Sequence, residues 1–110
     1  MPTYMLQVAY TPEMIKAAIE NPKDRTLHIN QVIENLGGTM HGMWFCFGEY
    51  DVVGFYEMPD NESAAAFALA VAGGGAVKNV KTTPLLSEAE AISGLYKAQK
   101  CGYTPMKADK

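Results

Sequence analysis

Apolar and polar side chains alternate at the start of the chain. In residues 3–10, TYMLQVAY, every second side chain is a tyrosine, a leucine or a valine. A period of two places these side chains on one face of an extended segment, so a β-strand is predicted over residues 3–10. Three further apolar runs predict strands at residues 39–47 (TMHGMWFCF), 51–58 (DVVGFYEM) and 76–85 (AVKNVKTTPL).

Helix-start signals follow the first strand. The residues Thr11-Pro12-Glu13 combine an N-cap, a proline in the first turn and an early acid, which predicts a short helix through Ile19. Because Pro22 disfavours helical geometry in the residue before it, this helix is expected to stop at Asn21 and a second helical segment to restart at Pro22. The second segment carries one apolar stripe, formed by Ile29, Val32, Ile33 and Leu36.

Two more helices are indicated in the second half of the chain. Asp60 is a suitable N-cap for the alanine-rich run SAAAFALAVA, and three glycines from Gly73 end that helix. Ser87 and Glu90 have the spacing of a capping box, which predicts a last helix that carries Ile92, Leu95 and Tyr96.

The predicted order is β-α-β-β-α-β followed by a terminal helix. This order is typical of the ferredoxin-like α+β fold, in which two helices cover one face of a four-stranded antiparallel sheet. Neither parity of residues 39–47 forms a polar row, although a sheet face in contact with water normally has one. We therefore expect the second face to meet another subunit. The ferredoxin-like domain is placed at residues 1–86, and residues 87–110 are expected to pack on it or on a partner subunit.

Composition narrows the class of protein. The chain has 110 residues, enough for one domain, and its hydrophobic fraction of 48% stands against only 19% charged residues, which favours a surface hidden by self-association. The net charge of -3 argues against nucleic-acid binding.

No segment is apolar enough to predict a membrane helix, and the N-terminus does not have the pattern of a secretory signal. Two cysteines without a disulfide or CxxC pattern suit a reducing cytoplasm.

Several stretches together resemble one known family. They are MPTYMLQVAYTPE, then NPKDR followed by a helix that ends in LGG, then GEYDVVGFYEMPD, and an alanine-rich helix that leads into GGGAVKNVKTT. In this order, over about residues 1–90, they resemble the GYD-domain family. The resemblance implies a small bacterial or archaeal protein with a dimeric α/β-barrel assembly of ferredoxin-like subunits. It implies no reaction, and the terminal helix is less typical of the family.

The hairpin residues Gly48, Glu49, Tyr50 and Asp51 are the first candidate site. Alternate residues of an extended segment point the same way, so the two carboxylates are able to converge as a general base requires. Tyr50 and Asp51 are therefore candidate catalytic residues. The plain alternative is turn chemistry, in which Gly48 supplies a positive φ and the acids keep the turn soluble.

Arg25 and His41 are the next candidates. Arg25 continues the apolar stripe of the second helix toward its N-terminus, so its charge needs a partner. The partner is either Asp51 or Glu49, in a structural ion pair, or an anionic ligand. His41 is expected beside Met43 and Phe45, either as a tuned acid–base group or as a core or interface residue.

No metal site and no cofactor are predicted. The two histidines, His28 and His41, lack the spacing of metal ligands, although a haem held by a single histidine stays open. The glycines of GGGAV follow a helix and precede a strand, which is the reverse of a phosphate-binding loop.

A hydrophobic pocket is a further possibility. Its lining would combine methionines, which adapt their shape, with aromatic side chains that bring a polar group. The candidates are Tyr4, Met40, Met43, Trp44, Phe45 and Tyr56. An ordinary core plus a dimer interface explains the same residues.

Three hypotheses about function remain at this point. The first is a small-molecule binding or sensing module, active as a homodimer or a higher even-numbered oligomer, with a small hydrophobic or anionic ligand between sheet and helices. The second is a cofactor-independent enzyme, of the monooxygenase or isomerase type, that acts on a hydrophobic substrate; it rests on analogy with other dimeric α/β barrels. The third is a purely structural oligomer.

Overall fold

A computed structural model of the chain describes residues 1–106. It contains four strands and four helices in the predicted order. The elements are β1 (Thr3–Tyr10), α1 (Pro12–Glu20), α2 (Thr26–Asn35), β2 (Thr39–Phe45), β3 (Val52–Glu57), α3 (Asn61–Gly73), β4 (Val77–Leu85) and α4 (Glu88–Gln99).

The four strands form one antiparallel sheet in the order β2-β3-β1-β4. This is the ferredoxin-like arrangement, so the predicted fold class is confirmed. The two central strands pair so that Tyr4 lies opposite Tyr56 and Leu6 opposite Gly54. The core-facing residues of β1 are the even-numbered ones. The pairing register therefore fixes which face of each of the other three strands meets the helices.

The core lies between the sheet and helices α2 and α3. The sheet contributes Tyr4, Leu6, Val8, Val52 and Tyr56, and the helices contribute Ile33, Ala64 and Phe67. The ring of Tyr56 stacks on Tyr4 and meets Phe67 edge-on, with centroids 5.5 Å and 5.2 Å away. Such aromatic pairs add to the stabilisation that comes from burial alone.

The opposite face of the sheet, which we call the open face, consists of half-buried or exposed side chains apart from the buried Ala9. Its centre is apolar: Met5 lies opposite Phe55, and Trp44 lies opposite Val53. The indole of Trp44 is exposed and meets Phe55 edge-on at 6.0 Å. Over β2 and β3 the second face is apolar, as the sequence predicts, whereas Gln7, Lys81 and Thr83 make it polar toward β4. A second subunit on this face stays a prediction.

Two local predictions are wrong. Helix α2 begins at Thr26 and not at Pro22, because the carboxylate of Asp24 accepts a hydrogen bond from the Thr26 backbone N–H (2.9 Å) and fixes the helix start there. In β2 the pairing shifts between Met40 and Gly42, so His41 occupies a β-bulge. The bulge breaks the strict alternation, and His41 therefore does not share a face with Met43.

Helix α4 stands apart from the rest of the chain. None of its residues is buried, and its Ser87–Glu90 capping box is formed as predicted. The radius of gyration is 18.1 Å, against about 13 Å for a compact domain of ~100 residues. The packing predicted for residues 87–110 stays a prediction, and residues 107–110 lie outside the described residues. None of the helices within residues 1–106 is long and apolar enough to cross a membrane.

Candidate functional site

A groove runs between helix α1 and the end of the sheet where β1 stops and β3 and β4 start. It has a volume of about 410 Å³, within the range of small-molecule sites. The chain enters α1 directly from β1, through the N-cap Thr11, so the groove wall is fixed by one short turn. The lining residues are Tyr10, Pro12, Ile15, Lys16, Ile19, Asp51 and Lys78.

The groove is lined by both apolar and charged side chains, and helix α1 contributes some of each. Ile15 and Ile19 are one helical turn apart on α1, and both are exposed. Lys16 on α1 and Lys78 on β4 bring two ammonium groups to the same groove, where Asp51 is the acidic residue. The groove therefore combines an apolar surface with an excess of positive charge.

Tyr10 is the half-buried residue at the base of the groove. Burial raises the pKa of its phenol above the ordinary value. The positive charge of Arg25 opposes this rise, and the negative charge of Asp51 adds to it. The phenol is therefore protonated at neutral pH and is available as a hydrogen-bond donor.

Asp51 acts as a clamp between the hairpin and β1. Its carboxylate Oδ2 accepts a hydrogen bond from the Tyr10 backbone N–H (2.9 Å), and its own N–H donates to the Val8 carbonyl (2.8 Å). Its carbonyl accepts from the Cys46 N–H (2.8 Å), which closes the hairpin. One oxygen of the Asp51 carboxylate is thus engaged in holding the end of β1.

The other hairpin residues have few contacts. Gly48 has a φ of 126°, which a turn with glycine at this position explains, and Glu49 is exposed. The Tyr50 hydroxyl lies at the long limit of a hydrogen bond from the Asn79 amide (3.5 Å). The convergence of the Glu49 and Asp51 carboxylates stays a prediction.

Arg25 is exposed and precedes α2 as its N-cap residue. Within residues 1–106 it makes no ion pair with Asp51 or Glu49, so that predicted pairing is wrong. The reason is that the α2 start at Thr26 leaves Arg25 outside the helical stripe. Its positive charge nevertheless acts on the Tyr10 phenol, whose pKa it lowers against the effect of burial.

The imidazole of His41 is hydrogen-bonded to the carboxylate of Glu57 on the open face. The distance between Nε2 and Oε2 is 2.5 Å, and both side chains are partly exposed. The bulge in β2 turns His41 toward Glu57, whose backbone lies opposite Thr39 in the same strand pair. His41 is therefore paired and far from Asp51, so the three candidate catalytic residues do not form one site.

The aromatic candidates are divided between the two faces of the sheet. Tyr4 and Tyr56 are buried among the core residues, and the Tyr4 hydroxyl donates to the Asn61 side-chain oxygen. Met43 is half-buried on the same side, whereas Trp44 is exposed on the open face. In a single chain these side chains do not line one pocket.

Metal ligands do not gather anywhere in the part of the chain that the structure describes. No three His, Cys, Asp or Glu side chains within residues 1–106 lie close enough to hold an ion. The two cysteines, Cys46 and Cys101, are free and exposed.

Sequence reasoning missed most of the groove, although it singled out Asp51 and Arg25. Tyr10 was assigned only to a strand, and Lys16 and Lys78 were not considered. A usable signal was present on α1, because Ile15 and Ile19 recur at i and i+4 next to Lys16. Lys78 gave no such signal, because its place depends on the pairing of Tyr10 with Val77 across two distant strands.

Comparison with solved structures supports the fold. The crystal structure of FFRP-DM1 covers 78% of this chain and 100% of its own, with a TM-score of 0.50 and 12% identity. An uncharacterized NIPSNAP domain protein from Burkholderia xenovorans covers 81% of this chain and 96% of its own, with a TM-score of 0.45 and 17% identity. At such identities the first likeness concerns the fold alone, and no argument rests on the second.

Comparison with curated proteins gives no match. The family model of the GYD domain matches residues 4–95, which is most of the chain and includes every strand of the sheet. The matched segment ends inside α4, at Leu95. The chain therefore belongs to the GYD domain family.

Proposed function

We propose that the protein is a self-associating module that binds a small amphipathic anion in the groove beside α1. The observation that carries the proposal is the composition of this groove, in which two lysines and a protonated tyrosine lie beside the exposed side chains of Ile15 and Ile19. Such a site suits a carboxylate attached to an apolar body, because each part of the ligand meets a matching surface.

The charges around the groove favour an anion over a cation. One oxygen of the Asp51 carboxylate is already engaged by the Tyr10 backbone N–H, and two lysines outnumber this one acid in the groove. Lys16 and Lys78 are not engaged in this way, since neither of them forms a salt bridge within residues 1–106. Arg25 adds a third positive charge near Tyr10. A ligand carboxylate therefore finds donors that lack a protein partner.

A titration followed by NMR tests this proposal. The probe is octanoate, with octan-1-ol as the matched neutral compound, and the readout is the shift of backbone amide signals in α1 and at residues 76–79. We expect octanoate to shift these signals in a saturable manner and octan-1-ol to bind at least tenfold more weakly. Equal binding of the two probes, or shifts elsewhere in the chain, contradicts the proposal.

Charge reversal supplies the control. Lys16→Glu with Lys78→Glu is expected to weaken octanoate binding about tenfold or more, because two attractive charges become repulsive. Lys81→Glu lies in the same strand as Lys78 but alternates away toward the open face. It should leave binding unchanged; an equal loss in both variants would show a general charge effect.

A second candidate function is catalysis by the His41–Glu57 pair. A carboxylate that holds an imidazole is a recurring arrangement of general bases. On the open face this pair faces solvent in a single chain, so the enzyme hypothesis needs a second subunit to enclose it. Diethyl pyrocarbonate, which labels accessible histidines, tests this: in the oligomer His28 on α2 should react and His41 should not. Equal reaction of the two histidines removes the support for catalysis at this pair.

A further inference from the structure

The carboxylate of Asp51 keeps one oxygen without a protein partner, in a side chain that lines the groove. Its Oδ2 accepts a hydrogen bond from the Tyr10 backbone N–H (2.9 Å), whereas Oδ1 accepts none within residues 1–106. Asp51 also forms no salt bridge in that part of the chain, although Lys16 and Lys78 line the same groove. An ionised carboxylate accepts up to about four hydrogen bonds, so Asp51 retains the capacity to bind a donor.

The position of this oxygen is set by the hydrogen bonds around it. The Asp51 N–H donates to the Val8 carbonyl (2.8 Å), and the Asp51 carbonyl accepts from the Cys46 N–H (2.8 Å). Because Oδ2 is held as well, the side chain has little freedom to turn away from the groove. A group that is already ordered loses little conformational entropy when a ligand binds, so Oδ1 is a preorganised acceptor.

Asp51 and Lys78 flank Tyr10 from opposite sides. Strand β1 lies between β3 and β4, and Asp51 directly precedes β3 whereas Lys78 lies in β4. Neighbouring strands are about 4.8 Å apart, so the two backbones are roughly 10 Å apart. The flexible four-carbon stem of Lys78 shortens this gap, which suits a ligand whose two polar groups are a few bonds apart.

The charge of the groove favours a neutral donor on the ligand over a cationic one. Lys16 and Lys78 repel an ammonium group, and the charge of Arg25, which acts on Tyr10, has the same sign. A hydroxyl group donates a hydrogen bond without adding charge. A hydrogen bond to an ionised acceptor is also stronger than one between two neutral groups. The matching donor is therefore a hydroxyl group.

We propose that the groove takes a hydroxycarboxylic acid with an apolar chain, whose hydroxyl group, on carbon 2 or 3, donates to Oδ1 of Asp51. The ligand carboxylate lies between Lys16 and Lys78, and the apolar chain lies along Ile15 and Ile19. This inference rests on the proposed function, since it names the class of anion that the groove binds. It makes Asp51 the residue that determines specificity.

Titration with matched acids tests the hydroxyl contact. The probes are octanoate, 2-hydroxyoctanoate and 3-hydroxyoctanoate, and the methyl ethers of the two hydroxy acids are controls that keep the oxygen and lose the donor. The readout is the NMR shift of the amide signals in α1 and at residues 76–79. We expect one hydroxy acid to bind at least fivefold more tightly than octanoate, and its methyl ether to bind no more tightly than octanoate. A hydroxyl group without a partner would weaken binding, because its desolvation is then not compensated.

Substitution of Asp51 tests which residue accepts the hydroxyl group. In Asp51→Asn the amide oxygen still accepts from the Tyr10 N–H, and the groove loses its negative charge. We expect octanoate to bind more tightly to this variant and the preference for the hydroxy acid to fall below twofold. Glu34→Gln makes the same change of charge at an exposed position of α2 and should keep the full preference. A preference that survives in Asp51→Asn, or that is lost equally in Glu34→Gln, overturns the role of Asp51.

The outcomes separate this inference from the proposed function. If octanoate does not bind in the groove, both are overturned. If octanoate binds as tightly as both hydroxy acids, the hydroxyl contact is overturned and the proposed function stands. Tighter binding of 2-aminooctanoate than of either hydroxy acid overturns the choice of a hydroxyl group, because the donor that Asp51 prefers is then a cation.

Discussion

At the scale of single residues, Asp51 joins more of the fold than any other polar side chain of the hairpin. Its side chain accepts a hydrogen bond from Tyr10 at the end of β1, and its N–H donates to Val8 in the same strand. Its carbonyl accepts a hydrogen bond that closes the hairpin. The contacts with Tyr10 and Val8 join segments about 40 residues apart in sequence. The contact with Cys46 joins the two arms of the hairpin. Such contacts stabilise the end of the sheet against which the groove is built.

Replacement of Asp51 tests this clamp. Asp51→Ala is expected to lower the free energy of unfolding by about 1–2 kcal/mol, because a hydrogen bond to a charged, half-exposed acceptor is lost. Asp51→Asn keeps an acceptor oxygen and should cost less. Urea denaturation followed by circular dichroism measures both changes. An Asp51→Ala variant as stable as the parent would show that the clamp contributes nothing.

Two tyrosine hydroxyls in the core differ in their partners. The Tyr4 hydroxyl donates to Asn61, whereas the Tyr56 hydroxyl and the Thr82 hydroxyl are buried without a partner of good geometry. Burial raises the pKa of Tyr56, and the Thr82 side chain lowers it by a smaller amount. The rings of Tyr4 and Tyr56 stack on each other, so the effect of the same substitution can be compared at the two positions.

We expect opposite results from Tyr4→Phe and Tyr56→Phe. Loss of the Tyr4 hydroxyl removes a hydrogen bond and should cost about 1 kcal/mol of unfolding free energy. Loss of the Tyr56 hydroxyl removes an unsatisfied polar group, so the variant should be as stable as the parent or up to about 1 kcal/mol more stable. Thermal and urea unfolding provide the comparison. A clear loss of stability in Tyr56→Phe would reveal a partner for its hydroxyl, such as a buried water.

At the scale of elements, the junction between α2 and β2 is the tightest place in the fold. A Cβ atom on Gly38 would lie 2.4 Å from the Glu57 carbonyl oxygen and 2.7 Å from the Met58 sulfur. The backbone of β3 cannot move aside without breaking its pairing. Glycine is therefore required at this point by close approach.

The pair Gly38→Ala and Gly73→Ala tests this requirement. Gly38→Ala is expected to lower the free energy of unfolding by about 2 kcal/mol, as overpacking in a core does. Gly73, at the end of α3, has open space around it, so alanine there should be neutral or add up to about 1 kcal/mol through helix propensity. Both values come from the same denaturation assay. Equal effects of the two substitutions would contradict the steric explanation.

At the scale of the whole molecule, the open face carries an apolar patch that nothing within residues 1–106 covers. Met5, Val53, Phe55 and Trp44 occupy its centre, and the sheet edge at β2 is aromatic rather than charged. Proteins usually cover such a face or protect such an edge. A second copy of the chain supplies a matching apolar face, which supports the proposed self-association.

Sedimentation velocity of two lysine variants tests this assembly. Phe55→Lys places a charge at the centre of the open face and is expected to raise the dimer dissociation constant by at least tenfold. Leu69→Lys makes the same kind of change on the exposed side of α3 and should leave the dimer intact. If Phe55→Lys assembles as the parent does, the open face is not the interface.

The sequence by itself determined the elements and their order. Period-two alternation, proline and glycine positions, and capping residues are local signals, and they placed β1, α3 and α4 close to their observed bounds. The ordered motifs also identified the family. These features depend on residues near one another in the chain, which is why a sequence pattern contains them.

Only the tertiary structure decided where the chemistry lies. The bulge that turns His41 toward Glu57, the hydrogen bond that engages Asp51, and the groove shared by Tyr10 and Lys78 all depend on strand register. A shift of one residue in pairing moves every side chain to the other face, and local sequence does not fix that shift. The isolation of α4 is likewise a matter of packing, because its capping signals specify a helix and say nothing about what covers it.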